Sequence, residues 1–527
     1  MAADRRRGAR HLPGHSQRAA HPARARVAGR RTRGRRTREC AVGGVPPCGG
    51  RRLTSPRADR TLIAVAVLAS FVAFLDGSVV NLALPAISGD LGGGVVTQQW
   101  VVDGYLLTLG ALILVAGAVS DSYGRLRVLR WGLLVFAVAS LLCAVAPSGW
   151  SLIAARCLQG VGAAFLVPSS LAMLNAHFSG PAQARAIGTW TAWTGTAFVV
   201  GPPLGGVLVD TLNWRWVFGL NLVPLAVTLL LALRLPADAP VAGRQRIDVV
   251  GAVLAAVGLA ATVFALIEQQ RLGLTHPAVA GSLAIGIAAV VAFPFWERRA
   301  ARPMMPLTLF ARRNFAAGNL ATVFLYAAVS LGTLIVALFL QEAVGMSAAL
   351  AGLATLPVPV LSFFLAPRFG ALAGAHGPRV FMAVGPLVAA VGFALMCTAG
   401  EPFDFWTQVL PGLTVFGLGL SITVSPLTAA VLAAVDPSQS GIGSAVNNAI
   451  SRIAGLIAVA FMGVLVGPAL DVEGFRRVAA LVAVLFAAAG VVSAIGIRNP
   501  AGGLGAVTLD ALARCHDRAT PPPAVRR

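Results

Sequence analysis

Two charged side chains in this chain stand where a charge is costly. Asp76 lies two-thirds of the way along an apolar run, and Arg156 lies inside another, flanked by Leu152 and Leu158. An ionised group surrounded by hydrocarbon costs several kcal/mol, so each needs a partner, a wet cavity or, for the carboxylate, a proton. A guanidinium keeps its charge at any working pH. A carboxylate beside it is held ionised, and it takes up a proton more readily when the cation moves away. Such a pair suits proton uptake linked to conformation. The structural alternatives are that Asp76 caps a helix end near an interface and that Arg156 snorkels its head toward water. Asp103, in Trp100-Val-Val-Asp-Gly-Tyr105, reads either as a gate or external proton acceptor, or as a solvated carboxylate at a helix start. Glu268, at the end of a later apolar run, reads as an interfacial residue.

The elements that hold these groups follow from composition. Of 527 residues, 57% are hydrophobic and only 12% charged, with a mean hydropathy of +0.78. Water-soluble domains carry about a quarter of their residues as charges. Apolar runs near twenty residues long repeat from Thr61 to Ile497, long enough to span a bilayer as helices. Lipid-exposed backbone must satisfy its own hydrogen bonds, and the short alternation of a membrane barrel is missing from the sequence. Fourteen spans are expected, at about 61–85, 99–119, 128–146, 150–174, 186–208, 216–234, 248–267, 277–296, 315–340, 348–366, 380–398, 405–433, 441–466 and 478–497. They fall into a six-helix bundle over 61–234, a linker with two extra helices over 235–302, and a second six-helix bundle over 303–497. With both termini in the cytoplasm, the inner loops hold fourteen arginines and the outer loops four, the bias that the positive-inside rule requires.

The two ends differ in composition from this body. Residues 1–60 hold seventeen arginines against three acidic residues and no apolar stretch. They read as a basic arm for anionic headgroups, as a nucleic-acid patch, or as sequence outside the working protein, the reading preferred here; no nucleic-acid partner is expected. Residues 498–527 read as a cytoplasmic tail. The six cysteines have no zinc or disulfide spacing, and no metal site is expected. The sequence also holds no Gly-x-x-x-x-Gly-Lys phosphate loop and no His/Cys cluster, so enzyme chemistry is not expected.

The halves repeat. The loop after the second span reads Gly117-Ala-Val-Ser-Asp-Ser-Tyr-Gly-Arg125, and its second-half counterpart reads Gly370-Ala-Leu-Ala-Gly-Ala-His-Gly-Pro-Arg379. Duplicated six-helix units are the architecture in which two halves rock about a midplane site.

With these loops in place, the chain resembles the major facilitator superfamily, in its fourteen-helix drug:proton antiporter branch. The likeness is carried by Leu75-Asp-Gly-Ser-Val-Val-Asn81-Leu-Ala-Leu-Pro85, Gln99-Trp100 with Tyr105, and the loop Gly117 to Arg127. It continues through Arg156-Cys-Leu-Gln159-Gly160-Val-Gly162, Gly195 through Gly201-Pro202-Pro-Leu-Gly205-Gly206, and Trp214-Arg-Trp216-Val-Phe218 with Asn221. In the second half it extends through Pro303 to Pro306, Gln341, Gly345 and Asn447 to Gly455.

The resemblance implies an all-α polytopic fold of two six-helix bundles plus two central helices. It also implies export of small lipophilic or cationic compounds against protons, and a substrate and proton-coupling site at Asp76, Arg156, Asp103 and Asn81. In the family Asp76 would bind or couple cationic substrates and Arg156 would serve proton coupling. Gly117, Asp121, Gly124, Arg125 and Arg127 would form a cytoplasmic latch, although Ser122 and Leu126 replace usual basic residues. The glycines of the antiporter motif, Gly195, Gly201, Gly205 and Gly206, with Pro202, remove bulk along a helix face, as close helix packing requires. They would seal one side of the cavity; generic packing is the alternative.

The function expected is proton-coupled multidrug efflux, with dedicated export of a single metabolite or self-made antibiotic as the alternative. The proton motive force would stand in place of a cofactor. The location expected is the cell inner membrane, as a monomer in the lipid bilayer.

Overall fold

The computed structural model describes residues 56–178, 181–236, 248–301, 303–436, 440–466 and 470–499. The chain divides into two units, Met1–Leu53 and Thr54–Arg527, and the described residues belong to the second. The arm expected over 1–60 therefore lies outside them up to residue 55, and the tail expected over 498–527 from residue 500 onward.

Every regular element among the described residues is helical. In chain order they are α1 (Pro56–Leu91), α2 (Gly94–Tyr123), α3 (Arg125–Ala144), α4 (Gly149–His177), α5 (Pro181–Thr211) and α6 (Arg215–Leu233). Then come α7 (Val249–Leu272) and α8 (Pro277–Arg299). The series ends with α9 (Arg313–Ala343), α10 (Ala348–His376), α11 (Pro378–Met396), α12 (Phe405–Ala433), α13 (Ser440–Val466) and α14 (Val472–Gly496). Thirteen of these are long and apolar enough to cross a membrane, and α2, an apolar helix of 30 residues, makes fourteen.

Most helices overrun their expected bounds. α1 has 36 residues, about 54 Å of helix, which exceeds the roughly 30 Å hydrocarbon layer. The polar turns at its ends escape an estimate based on hydropathy alone. α6 is interrupted at Leu220-Asn221, and α10 breaks between Ala354 and Pro357, where proline supplies no N–H to the preceding turn.

Each half pairs its helices in the same way. In the first half α1 packs on α5 and α6, α4 on α2 and α3, and α3 on α6; in the second, α9 packs on α13 and α14, α12 on α10 and α11, and α11 on α14. The repeated loop is equally symmetric. Gly124 (φ 96°) joins α2 to α3 and Gly377 (φ 89°) joins α10 to α11, a backbone conformation that favours glycine. The halves meet through α5 on α10 and α2 on α13, and these two contacts exchange under the repeat. α7 and α8 pair with each other, and α7 lies against both α2 and α13.

Hydrogen bonds join the halves at the end of the bundle where α1 and α5 finish and α10 begins. Asp210 accepts from the backbone N–H groups of Ala348 and Ala349 at 3.1 and 2.8 Å, capping α10 from the opposite half. Gln99 Nε2 donates to the carbonyls of Val459 and Ala460 at 2.8 and 3.1 Å, and Gln98 donates to Glu342. Glu268 also sits at this end, and it is buried rather than interfacial. It accepts from Trp100 Nε1 at 3.0 Å and pairs with Arg271 at 2.9 Å, pinning α7 to α2.

Candidate functional site

Asp76 and Arg156 form a buried ion pair, with Arg156 Nη1 donating to Asp76 Oδ2 at 2.6 Å. Arg156 is 2% exposed, which sets aside the snorkelling alternative. Asp76 lies midway in α1 and is fully buried, which sets aside the helix-end cap. The remaining valences are satisfied by Gln159 on α4 itself and from three other helices, α2, α3 and α6. Arg156 Nη1 donates to Gln159 Oε1 at 2.6 Å and Nε to the Val101 carbonyl at 3.0 Å. Gln159 Nε2 donates to Asp76 Oδ1 at 2.8 Å and to Ser140 Oγ at 3.0 Å. Asn221 Nδ2 donates to Asp76 Oδ1 at 2.7 Å. The Tyr105 ring lies 4.5 Å from the guanidinium carbon.

Local sequence explains how these groups meet. Gly160 and Gly162 let α4 press against α2 and α3. A Cβ on Gly160 would stand 2.3 Å from the Tyr105 carbonyl oxygen, and one on Gly162 would stand 2.7 Å from the Phe136 nitrogen. That approach carries Arg156 to the α2 backbone. Asn221 reaches Asp76 from the interruption in α6, and Trp214 and Arg215 fix the start of that helix by donating to Asp90 at 3.0 and 2.7 Å.

The comparisons with known proteins decide the family. Residues 66–318 match the Major Facilitator Superfamily. The chain is 35% identical over 412 residues to a puromycin resistance protein of Streptomyces alboniger, covering 76% of this chain and 80% of that one. The chain belongs to the major facilitator superfamily. It is likewise 33% identical to a methylenomycin A resistance protein of Streptomyces coelicolor, covering 79% of this chain and 87% of the relative. To the multidrug resistance protein Stp of Mycobacterium tuberculosis it is 34% identical, over 76% of this chain and 75% of the relative. Among solved structures, a peptide transporter in complex with sulfate aligns with a TM-score of 0.62 and 16% identity, over 89% of this chain and 96% of that one; that likeness shows the fold. The chain is thus a multi-pass membrane protein of a transporter superfamily.

The other expected site residues of this superfamily member are placed as follows. Asp103 is ten residues into the helix, since α2 starts at Gly94. It is fully buried and neither carboxylate oxygen has a hydrogen-bond partner, which sets aside a solvated helix-start carboxylate. Asn81 is half-buried on α1, and the bonds to Asp76 come from Gln159 and Asn221 instead.

In the antiporter motif, Gly201 and Gly205 face α1, where a Cβ would meet Ser78 Oγ at 1.9 Å or Val79 Cγ1 at 2.7 Å. Gly206 faces across to the Ala348 carbonyl oxygen at 2.2 Å, and the Pro202 carbonyl meets Gly352. The motif therefore serves two faces rather than one, and Gly195 faces open space. In the loop motif, Arg125 Nη1 donates to the Ala172 carbonyl on α4 at 3.1 Å, Arg127 is exposed and Gly117 faces open space. The side chain of Asp121 lies outside the described residues.

Sequence reasoning missed Arg452, which stands near the middle of α13 and whose guanidinium lies 5.6 Å from the Phe74 ring centre. The signal was available. An arginine twelve residues into the apolar run 441–466 carries the same insertion cost as Arg156.

Proposed function

We propose that the protein is a proton-coupled secondary exporter of small amphipathic drugs or toxic compounds. The observation that carries this reading is the buried cluster of Asp76, Arg156, Gln159 and Asn221 together with the unpartnered carboxylate of Asp103. An unpaired ionised carboxylate at such depth is costly, so Asp103 is assigned as a proton-binding position on α2, one of the helices through which the halves meet. Asp76 is held in place by Arg156. At an effective dielectric near 20, a unit charge about 4 Å away is worth roughly 4 kcal/mol. A displacement of Arg156 from Asp76 within the first half would therefore tie this pair to the conformation of that half. The names of the relatives, resistance to puromycin, methylenomycin A and multiple drugs, support drugs as the cargo.

The arginine bias supports a topology with both termini in the cytoplasm, in the cell inner membrane. The end closed by Asp210, Gln98 and Gln99 is then the outer one. The protein acts as a monomer with no enzymatic activity, driven by the proton motive force rather than a cofactor. Energised everted vesicles test this: dye accumulation that collapses with an uncoupler supports the proposal, and uncoupler-insensitive dye movement removes it. A dedicated exporter of one antibiotic is a second reading, favoured by the single-compound names among the relatives. It predicts resistance to one compound class only.

A further inference from the structure

The geometry points to Arg452 as the recognition point for an anionic group on the transported compound. This rests on the exporter reading and narrows its substrate to amphipathic acids, with a carboxylate or phenolate attached to an aromatic body.

Charge at the middle of the bundle is distributed unevenly. Asp76 is saturated by Arg156, Gln159 and Asn221, so that pair is neutral and sealed, and a cationic guest finds no open carboxylate there. Asp103 is fully buried. Arg452 differs from both. It is only half-buried, and among the described residues it makes no ion pair or hydrogen bond. An arginine at this depth without a counter-ion is a standing cost of several kcal/mol, which an anionic guest removes by supplying a bidentate partner.

The surroundings suit an aromatic acid. Phe74 lies under the guanidinium and packs against Phe198, with ring centres 5.6 Å apart. On α1 the accessible positions follow one stripe: Phe74 and Asn81 are half-buried, and Gly77 between them is exposed with open space beside its Cα. Across the seam, Gly110 of α2 faces the Arg452 side chain, where a Cβ would stand 3.9 Å from the Arg452 Cβ. Helices from both halves thus surround one unpaired cation, where a guest would bridge the parts that move.

The test uses two dyes with the same xanthene ring system, anionic fluorescein and cationic tetramethylrhodamine ethyl ester. Binding is measured by fluorescence anisotropy on the full chain in nanodiscs, for wild type, Arg452→Gln and Arg452→Lys. The expected result is that wild type binds fluorescein tighter than the rhodamine. Arg452→Gln should lose fluorescein affinity by about thirtyfold or more, as for a desolvated charge pair, with rhodamine binding unchanged, and Arg452→Lys should be intermediate. A wild-type preference for the rhodamine, or absence of fluorescein binding, overturns the proposal without any variant. Equal fluorescein affinity in wild type and Arg452→Gln also overturns it. Transport in energised everted vesicles is read separately. Binding that depends on Arg452 without pumping leaves the anion site standing and refutes the exporter reading.

Discussion

Asp76 and Arg156 are 80 residues apart in the chain and 2.6 Å apart in the fold, on α1 and α4 of the same half. Their contact is buried, so each holds the other in place: a lone charge at that depth is far less stable than the pair.

Removing the cation alone should therefore affect both stability and coupling. Arg156→Ala is expected to lose about 3–5 kcal/mol of stability, the typical cost of breaking a buried pair, and to uncouple substrate movement from protons. Arg156→Lys keeps the charge but not the planar fork that serves Asp76, Gln159 and the Val101 carbonyl, and should retain part of the function. Thermal melting with substrate-induced proton release checks both.

Asp76→Asn leaves Arg156 charged and buried without its partner, and should be destabilised to a similar degree. The double variant Asp76→Asn with Arg156→Gln removes both charges and should recover much of the stability while staying uncoupled. A double-mutant cycle on melting temperature measures the coupling, expected at about 3 kcal/mol or more, the scale of the penalty for breaking a buried pair.

Asp103→Asn should fold normally, because no hydrogen bond to the carboxylate is lost. By linkage, removing one titrating group lowers by one the protons exchanged on substrate binding. Isothermal titration in buffers of different ionisation enthalpy counts those protons. An unchanged count moves the proton site away from Asp103.

The closed end should open when its contacts are weakened. Gly206→Ala places a methyl about where the Ala348 oxygen stands, at 2.2 Å. Asp210→Asn weakens the two charge-assisted bonds that cap α10. A loss of about 1–2 kcal/mol corresponds to a population shift of roughly five- to thirtyfold. The check is maleimide labelling of a cysteine at Val459, buried at that seam: labelling should speed up in both variants.

Much of this was legible in the sequence, for reasons tied to particular residues. The spans and the repeat followed from hydropathy and from the twin loops at Gly124 and Gly377. Asp76 and Arg156 stood out because charges in apolar runs are rare. Their partners did not, since Gln159 and Asn221 are neutral amides whose importance depends on a helix interruption and on the close approach allowed by Gly160. Asp103 was set too shallow because hydropathy starts α2 at about 99, whereas the helix starts at Gly94 after Gly92 and Gly93, both with positive φ. Glu268 reads as interfacial from its place at the end of an apolar run, since its burial comes from α2, a helix distant in sequence, through Trp100.

The most direct test of the account is countertransport in proteoliposomes loaded with a pH-sensitive dye. Adding an amphipathic substrate such as fluorescein should drive protons in the direction opposite to the substrate, and Arg156→Ala should abolish that proton movement. Substrate movement of equal rate with and without a proton gradient, accompanied by no pH change, would contradict proton-coupled export.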